Sequence, residues 1–174
     1  MISDNDKKVL RNSIGNYFEL KESSIEMPNQ YLVGHMRKVE LTYGVHAWAL
    51  SSSRNVTEAV KNVECQLAKN GFKLPHKAET SLQTSYCPEI DTTPELSPTD
   101  VAYYQLIISM LQWMVELGRV DICLEVSMMS SHLALPREVH LEQLYHIFAH
   151  IKKYYNIKMV FDSNVPEINE SYFE

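Results

Sequence analysis

Glycine is scarce: 5 of the 174 residues, scattered along the chain. No glycine-rich phosphate loop can be assembled from them. The 3 cysteines, Cys65, Cys87 and Cys123, are widely spaced and form no C-x-x-C pattern, which points to free thiols in a reducing compartment, cytoplasmic or nuclear. No N-terminal stretch has the basic, apolar, small-residue order of a secretory signal. The longest apolar run is interrupted by two Gln, a Ser and a Glu, so no membrane span is expected. The serines at 51–53 and 130–131 lack a G-x-S-x-G elbow. His140, His146 and His150 recur near the end of the chain, and Glu142, His146 and His150 stand at i, i+4 and i+8, but H-E-x-x-H and its general base are missing. Surface or half-buried histidines explain that set without a metal. Asp121 and Glu125 lie one turn apart beside Arg119, the pattern of a surface ion network. The residues offer no catalytic centre and call for no cofactor.

What is present is ordinary globular material, with 45% hydrophobic and 22% charged residues. The chain is long enough to bury roughly 70% of its unfolded surface. Its net charge of -6 argues against a dedicated nucleic-acid binder, but the charge is segregated. Residues 34–78 hold seven Lys and Arg against three Glu, whereas residues 79–148 hold two Arg against ten acids. A local basic strip can still attract anions, because screening confines each charge to a neighbourhood of about 8 Å.

Residues 101–117 are almost wholly apolar, and the exceptions, Gln105, Ser109, Gln112 and Glu116, are spaced four, three and four apart. At about 100° per residue these four form one narrow polar stripe, so the spacing predicts a helix buried on roughly three quarters of its circumference. Gly118 ends it, and a second apolar helix follows from Ile122 to about Met129.

In chain order, Leu10, Ile14 and Phe18 make an apolar ridge on a short helix capped by Asp4 or Asn5, with Lys7, Lys8 and Arg11 opposite. Alternation on either side of Tyr43-Gly44 predicts a hairpin of about six residues a side, resting on another element through Trp48. Ser51 to Ser53, or an Asn55-x-x-Glu58 box, caps a helix with Val56, Val60, Val63 and Leu67 inside and Arg54, Lys61 and Lys69 outside; Asn70-Gly71 ends it. Residues 72–100 contain four prolines and few apolar residues, which predicts an extended connection and the best candidate boundary. Leu135-Pro136 starts a last helix with a seam of Leu141, Leu144 or Tyr145, Phe148 and Ile151, and Lys152-Lys153 suit the negative end of its dipole. Residues 157–161 suggest one more strand, and the acidic tail is expected to be loose. The fold class is α+β, mainly helical: 1–50 helix and hairpin, 51–71 helix, 72–100 connection, 101–155 helices, 156–174 strand and tail.

Several stretches, FELK, YGVHAWALSSSRNVTEAVKNVE, YYQLIISMLQWMVELGRVDI and CLEVSMMSSHLALPREVHLEQ, together resemble the downstream part of the reverse transcriptase in copia-type retrotransposon polyproteins. The likeness covers almost the whole chain and carries E-L-G-R-x-D-I where T-R-P-D-I is commoner. It implies that residues 1–50 are the end of the polymerase palm with a primer-grip hairpin, that the thumb begins at Ser53, and that thumb and connection follow. The helix over 101–117 would then resemble the thumb helix that retroviral enzymes lay in the minor groove through a Q-x-x-x-G-x-x-x-W pattern, here Gln105, Ser109 and Trp113. Ser109 stands where Gly is expected and Gln112 where Arg is common. Leu32-Val33-Gly34 separates a Leu and Gly that are otherwise adjacent.

The resemblance implies a nucleic-acid contact set of Met36, Arg37, Lys38, Trp48, Arg54, Lys61, Lys69, Gln105, Ser109, Gln112 and Trp113. The implied partners are an RNA:DNA hybrid or template-primer duplex, and the palm and ribonuclease H domains of a parent polyprotein. The paired metal-binding Asp and the ribonuclease H carboxylates are not in this sequence, so the chain is expected to be a non-catalytic fragment; magnesium would belong to the parent polymerase. The alternative is a helical protein-interaction module, or a decayed remnant without a nucleic-acid role. Neither class involves a membrane.

Overall fold

The computed structural model describes residues 4–19, 29–76, 78–87 and 90–162. Its described elements are α1 (Asp4–Gly15), β1 (Gln30–Tyr31), β2 (Gly34–Glu40), β3 (His46–Ser51), α2 (Ser53–Lys69), α3 (Pro98–Glu116), a 3-10 turn (Val120–Ile122), α4 (Cys123–Ser130), α5 (Glu138–Lys153) and β4 (Lys158–Phe161). The architecture is α+β, with an antiparallel sheet in the order β1-β2-β3-β4 beside a helical body. The tail after 162 and the residue preceding α1 lie outside the described residues. Asp4 is already helical, so a cap for α1 falls outside them too.

The expected hairpin is present, with strands of 7 and 6 residues paired from Glu40 opposite His46 to His35 opposite Ser51. Its side chains alternate between two faces. Met36, Lys38, Trp48 and Leu50 share one face with Met159 and Phe161; Arg37, Val39, Ala47 and Ala49 share the other with Val160. Trp48 is only half-buried, and Leu50 rather than Trp48 seats the sheet, because Leu50 and Met159 close over Gly118 at the end of α3.

That end is a Schellman motif: the Arg119 amide donates to the Met114 carbonyl at 3.0 Å and the Gly118 amide to Val115 at 3.0 Å. Gly118 takes φ +96, a conformation open to glycine and strained for other residues. The chain turns there, beside the start of α2, so α2 and α3 run antiparallel. Arg119 then goes inward. It is fully buried, with Nε 2.8 Å and Nη2 2.7 Å from the two Asp121 carboxylate oxygens. In place of the expected surface network of Arg119, Asp121 and Glu125, a buried Arg119 is paired with a partly exposed Asp121, while Glu125 accepts from the Ser81 hydroxyl at 2.5 Å. Spacing alone could not separate the two outcomes, because burial of Arg119 depends on packing from elsewhere in the chain.

One core joins α2 through Val56, Val60, Val63 and Leu67 to Ile107, Ile108, Leu111 and Met114 of α3, and to Leu144, Ile147, Phe148 and Ile151 of α5. Tyr104 is buried among them and its hydroxyl donates to the Met129 carbonyl at 2.8 Å, so the one polar atom it carries inward is satisfied.

Two helix starts differ from expectation. Helix α3 begins at Pro98, not residue 101, because Ser97 caps it, accepting from the Asp100 amide at 3.3 Å. Helix α5 begins at Glu138 with Arg137 as its cap, while Pro136 stays extended and accepts from Leu96 at 3.0 Å. At α2, Ser52 is the cap residue but its side chain makes no capping bond, and Glu58 pairs with Arg54 instead of closing a box.

The connection over 72–97 has no long element, yet Leu74 and Ala78 lie in the common core. A polar row on α5 straps it down. The His150 and His146 rings sit 3.3 and 3.4 Å from the Ala78 and Ser81 carbonyls. Gln143 donates to the Gln83 side chain at 3.0 Å and accepts from its amide at 3.2 Å. His140 accepts the Arg137 amide at Nδ1, 3.0 Å, and its Nε2 lies 3.4 Å from Asp91 Oδ2. Burial raises the Asp91 pKa, but bonds from Thr93 and the nearby His140 and Arg137 outweigh it and hold the carboxyl below its ordinary value. His146 is thus buried and committed, not a surface residue.

Candidate nucleic-acid interface

Helix α3 presents two sides. Tyr104, Ile107, Ile108, Leu111 and Met114 are buried, and the opposite side exposes Gln105, Ser109, Gln112 and Glu116, the anticipated polar stripe. Leu106 and Trp113 are exposed with them, Trp113 to 45%. At about 100° per residue, Gln105, Ser109 and Trp113 fall within a sector of roughly 80°. The amide, the small hydroxyl and the indole therefore line one side of the rod, and the open side is wider than the stripe alone.

The stripe is partly occupied from within. Gln105 Nε2 donates to the Leu133 carbonyl at 3.1 Å, and Gln112 Nε2 to the Ser130 hydroxyl at 3.1 Å, so both amides lean toward α4. Ser109 Oγ donates to the Gln105 carbonyl at 2.9 Å. Each amide keeps one N–H and its oxygen for another partner. Trp113 and Leu106 lean the other way, and Leu106 lines a groove between α2 and α3 with Asn62, Gln66 and Tyr103.

On α2, Arg54, Lys61 and Lys69 are all exposed. Their spacing of seven and eight puts them in a sector of roughly 80° along the outer ridge of α2. Arg54 is held by Glu58 at 3.1 Å, and Lys69 lies 3.4 Å from the Gln66 oxygen. These surface contacts are each worth less than about 1 kcal/mol and open readily to a stronger anion.

The hairpin residues divide. Lys38 lies over the Trp48 ring at 5.6 Å, with Met36 half-buried on the same face. Arg37 points from the opposite face, so the hairpin offers one cation per face and not a continuous strip.

The charge map adds cations that the sequence reading assigned to other roles. From 98 to 136 the only Lys or Arg is Arg119, which is buried. The α3–α4 surface therefore exposes acids and no Lys or Arg. On the other flank of α2, a groove against α5 is lined by Lys61, Lys73, Lys152 and Lys153. Lys152-Lys153 was legible only as a dipole pair, because nothing local shows that α5 lies beside α2. Lys153 is paired with Glu79, and the pairing pushes the lysine pKa up and the Glu79 carboxyl down.

Among the described residues, no group of three or more His, Cys, Asp or Glu is placed to hold a metal ion, and no helix is long and apolar enough to cross a membrane. Cys65 and Cys123 are exposed thiols. No protein-family model, curated protein or solved structure matches the chain.

Proposed function

We propose that the chain is a non-catalytic thumb-and-connection segment of the copia reverse-transcriptase type, contacting an RNA:DNA hybrid or template-primer duplex. The observation that supports it is the shared exposed side of Gln105, Ser109 and Trp113 on α3, together with the exposed basic residues along α2. In this reading the remaining Gln105 N–H donates to groove acceptors, Trp113 packs on sugars, and Arg54, Lys61 and Lys69 meet phosphates. The chain performs no phosphoryl transfer by itself, and magnesium belongs to the parent polymerase.

Retention of a labelled RNA:DNA hybrid at rising salt tests the reading. Three phosphate contacts give a log–log slope of about -2.7, or roughly a 40-fold loss of affinity between 50 and 200 mM salt. Absence of binding at 50 mM, or binding indifferent to salt, refutes it.

A second reading, a helical protein-interaction module, is favoured by α1. The helix ends at Gly15, so Leu10 and Ile14 share its apolar side while Phe18 follows beyond the helix, and all three are exposed. Concentration-dependent self-association with dye binding to apolar patches, and no hybrid retention, is the result that selects it.

A further inference from the structure

The cations left over by the α3 interface gather in the groove between α2, α5 and the start of the connection. Two cavities of about 510 and 420 Å³ lie there end to end, sharing Glu64 and Lys152 in their walls. The Lys152 ammonium and the Glu64 carboxylate, 2.7 Å apart, form the saddle between them. Leu74, Ala149 and Val60 give the floor apolar character. Four lysines, Lys61, Lys73, Lys152 and Lys153, stand along the walls; Glu64 is the only acid among the described lining residues, and Glu79 pairs with Lys153 beside them. Exposed rings mark both stretches, Phe72 (66% exposed) in the larger cavity and Tyr155 (49%) in the smaller.

A row of ammonium groups along a trough with open aromatic rings has the chemistry of a track for an unpaired nucleic-acid strand. Phosphates meet the lysines and bases stack on ring faces without needing a particular sequence. A duplex does not suit it, because paired bases present no free face to Phe72 or Tyr155. An acidic peptide would use the lysines but not the rings as stacking platforms.

We infer that the α2–α5 groove binds a single-stranded segment of nucleic acid, with Lys73 and Lys152 on the backbone and Phe72 and Tyr155 against the bases. The inference rests on the proposed nucleic-acid role and places the unpaired strand on a different flank of α2 from the duplex. The Glu64 carboxylate competes with phosphate for Lys152, so removing its charge strengthens binding.

The test is fluorescence anisotropy of the full chain with two probes, a single-stranded oligonucleotide and a blunt RNA:DNA hybrid, across a salt series. Lys73→Gln with Lys152→Gln is expected to reduce the single-strand salt slope by about 1.4. Glu64→Gln is expected to tighten single-strand binding several-fold, a gain that loss of a merely structural ion pair would not produce. Trp113→Ala weakens the hybrid and leaves the single strand unchanged, and Lys8→Gln on α1 affects neither. Thermal melting of each variant verifies folding. Single-strand binding that ignores the groove substitutions, or that polyglutamate of equal charge displaces as well as a second oligonucleotide, overturns the inference while hybrid binding persists. Failure of both probes at 50 mM salt instead removes the nucleic-acid reading beneath it.

Discussion

Replacing Asp121 by Asn isolates the contact that holds the turn between α3 and α4 under the sheet. The Arg119 side chain is 1% exposed and meets Asp121 through two hydrogen bonds of 2.8 and 2.7 Å. Its Nη1 is buried without a partner. Breaking a fully buried pair by deleting one member costs about 3–5 kcal/mol, whereas breaking an exposed pair costs less than about 1. Asp121 is 25% exposed on its side chain, so water reaches one end of the pair, and the expected cost is about 2–3 kcal/mol by the same scale. For a chain of this size that lowers the melting temperature by roughly 4–12 °C. The double variant Arg119→Met with Asp121→Asn removes the stranded guanidinium and its orphaned Nη1 together, so it is expected to recover at least half of the loss. Urea denaturation followed by circular dichroism gives all three free energies. A loss below about 0.5 kcal/mol for Asp121→Asn, or a double variant less stable than Asp121→Asn alone, would falsify the claim that Arg119 is a desolvated charge held by its neighbour.

Three further outcomes follow from the same geometry. Gly118→Ala places a methyl group 3.4 Å from the Met159 Cβ at φ +96, and a loss of about 1–2 kcal/mol in urea melts is expected; an unchanged midpoint refutes it. Tyr104→Phe removes one of two hydrogen bonds to the Met129 carbonyl, which keeps the His132 amide at 3.2 Å; a loss of about 0.5–1.5 kcal/mol is expected, and hydrogen exchange in α4 should quicken; unaltered exchange and stability count against the bond. Because the Asp91 carboxyl is held below its ordinary value of 3.8, its contribution is complete above that value and fades as pH falls through the lower folded one. Stability measured from about pH 6 downward should therefore drop below about pH 4, less steeply in Asp91→Asn, and identical profiles for the two proteins reject the assignment.

Periodicity and punctuation determined a good deal. The stripe of Gln105, Ser109, Gln112 and Glu116 is exposed because helical spacing forces those four onto one side, and Tyr43-Gly44, Asn70-Gly71 and Gly118 turn the chain where such residues relieve backbone strain. The existence of the hairpin follows from alternation on either side of Tyr43-Gly44. These are local properties, set by the residues themselves and their nearest neighbours along the chain.

Tertiary structure decided what each surface became. His140, Gln143, His146 and His150 recur at steps of three, three and four, a polar row legible in the sequence, but only the return of the connection along α5 made them clamps for its carbonyls and side chains. Arg119 looks solvated beside Asp121 in the sequence, yet the fold buries it. Lys73 and Lys152 are 79 residues apart, and α2 packing on α5 makes them neighbours in one groove. Helical spacing fixes which side chains share a face, because that follows from 3.6 residues per turn. Which face meets water, carboxylate or another helix depends on long-range packing, and that is where the buried charge and the basic groove arose.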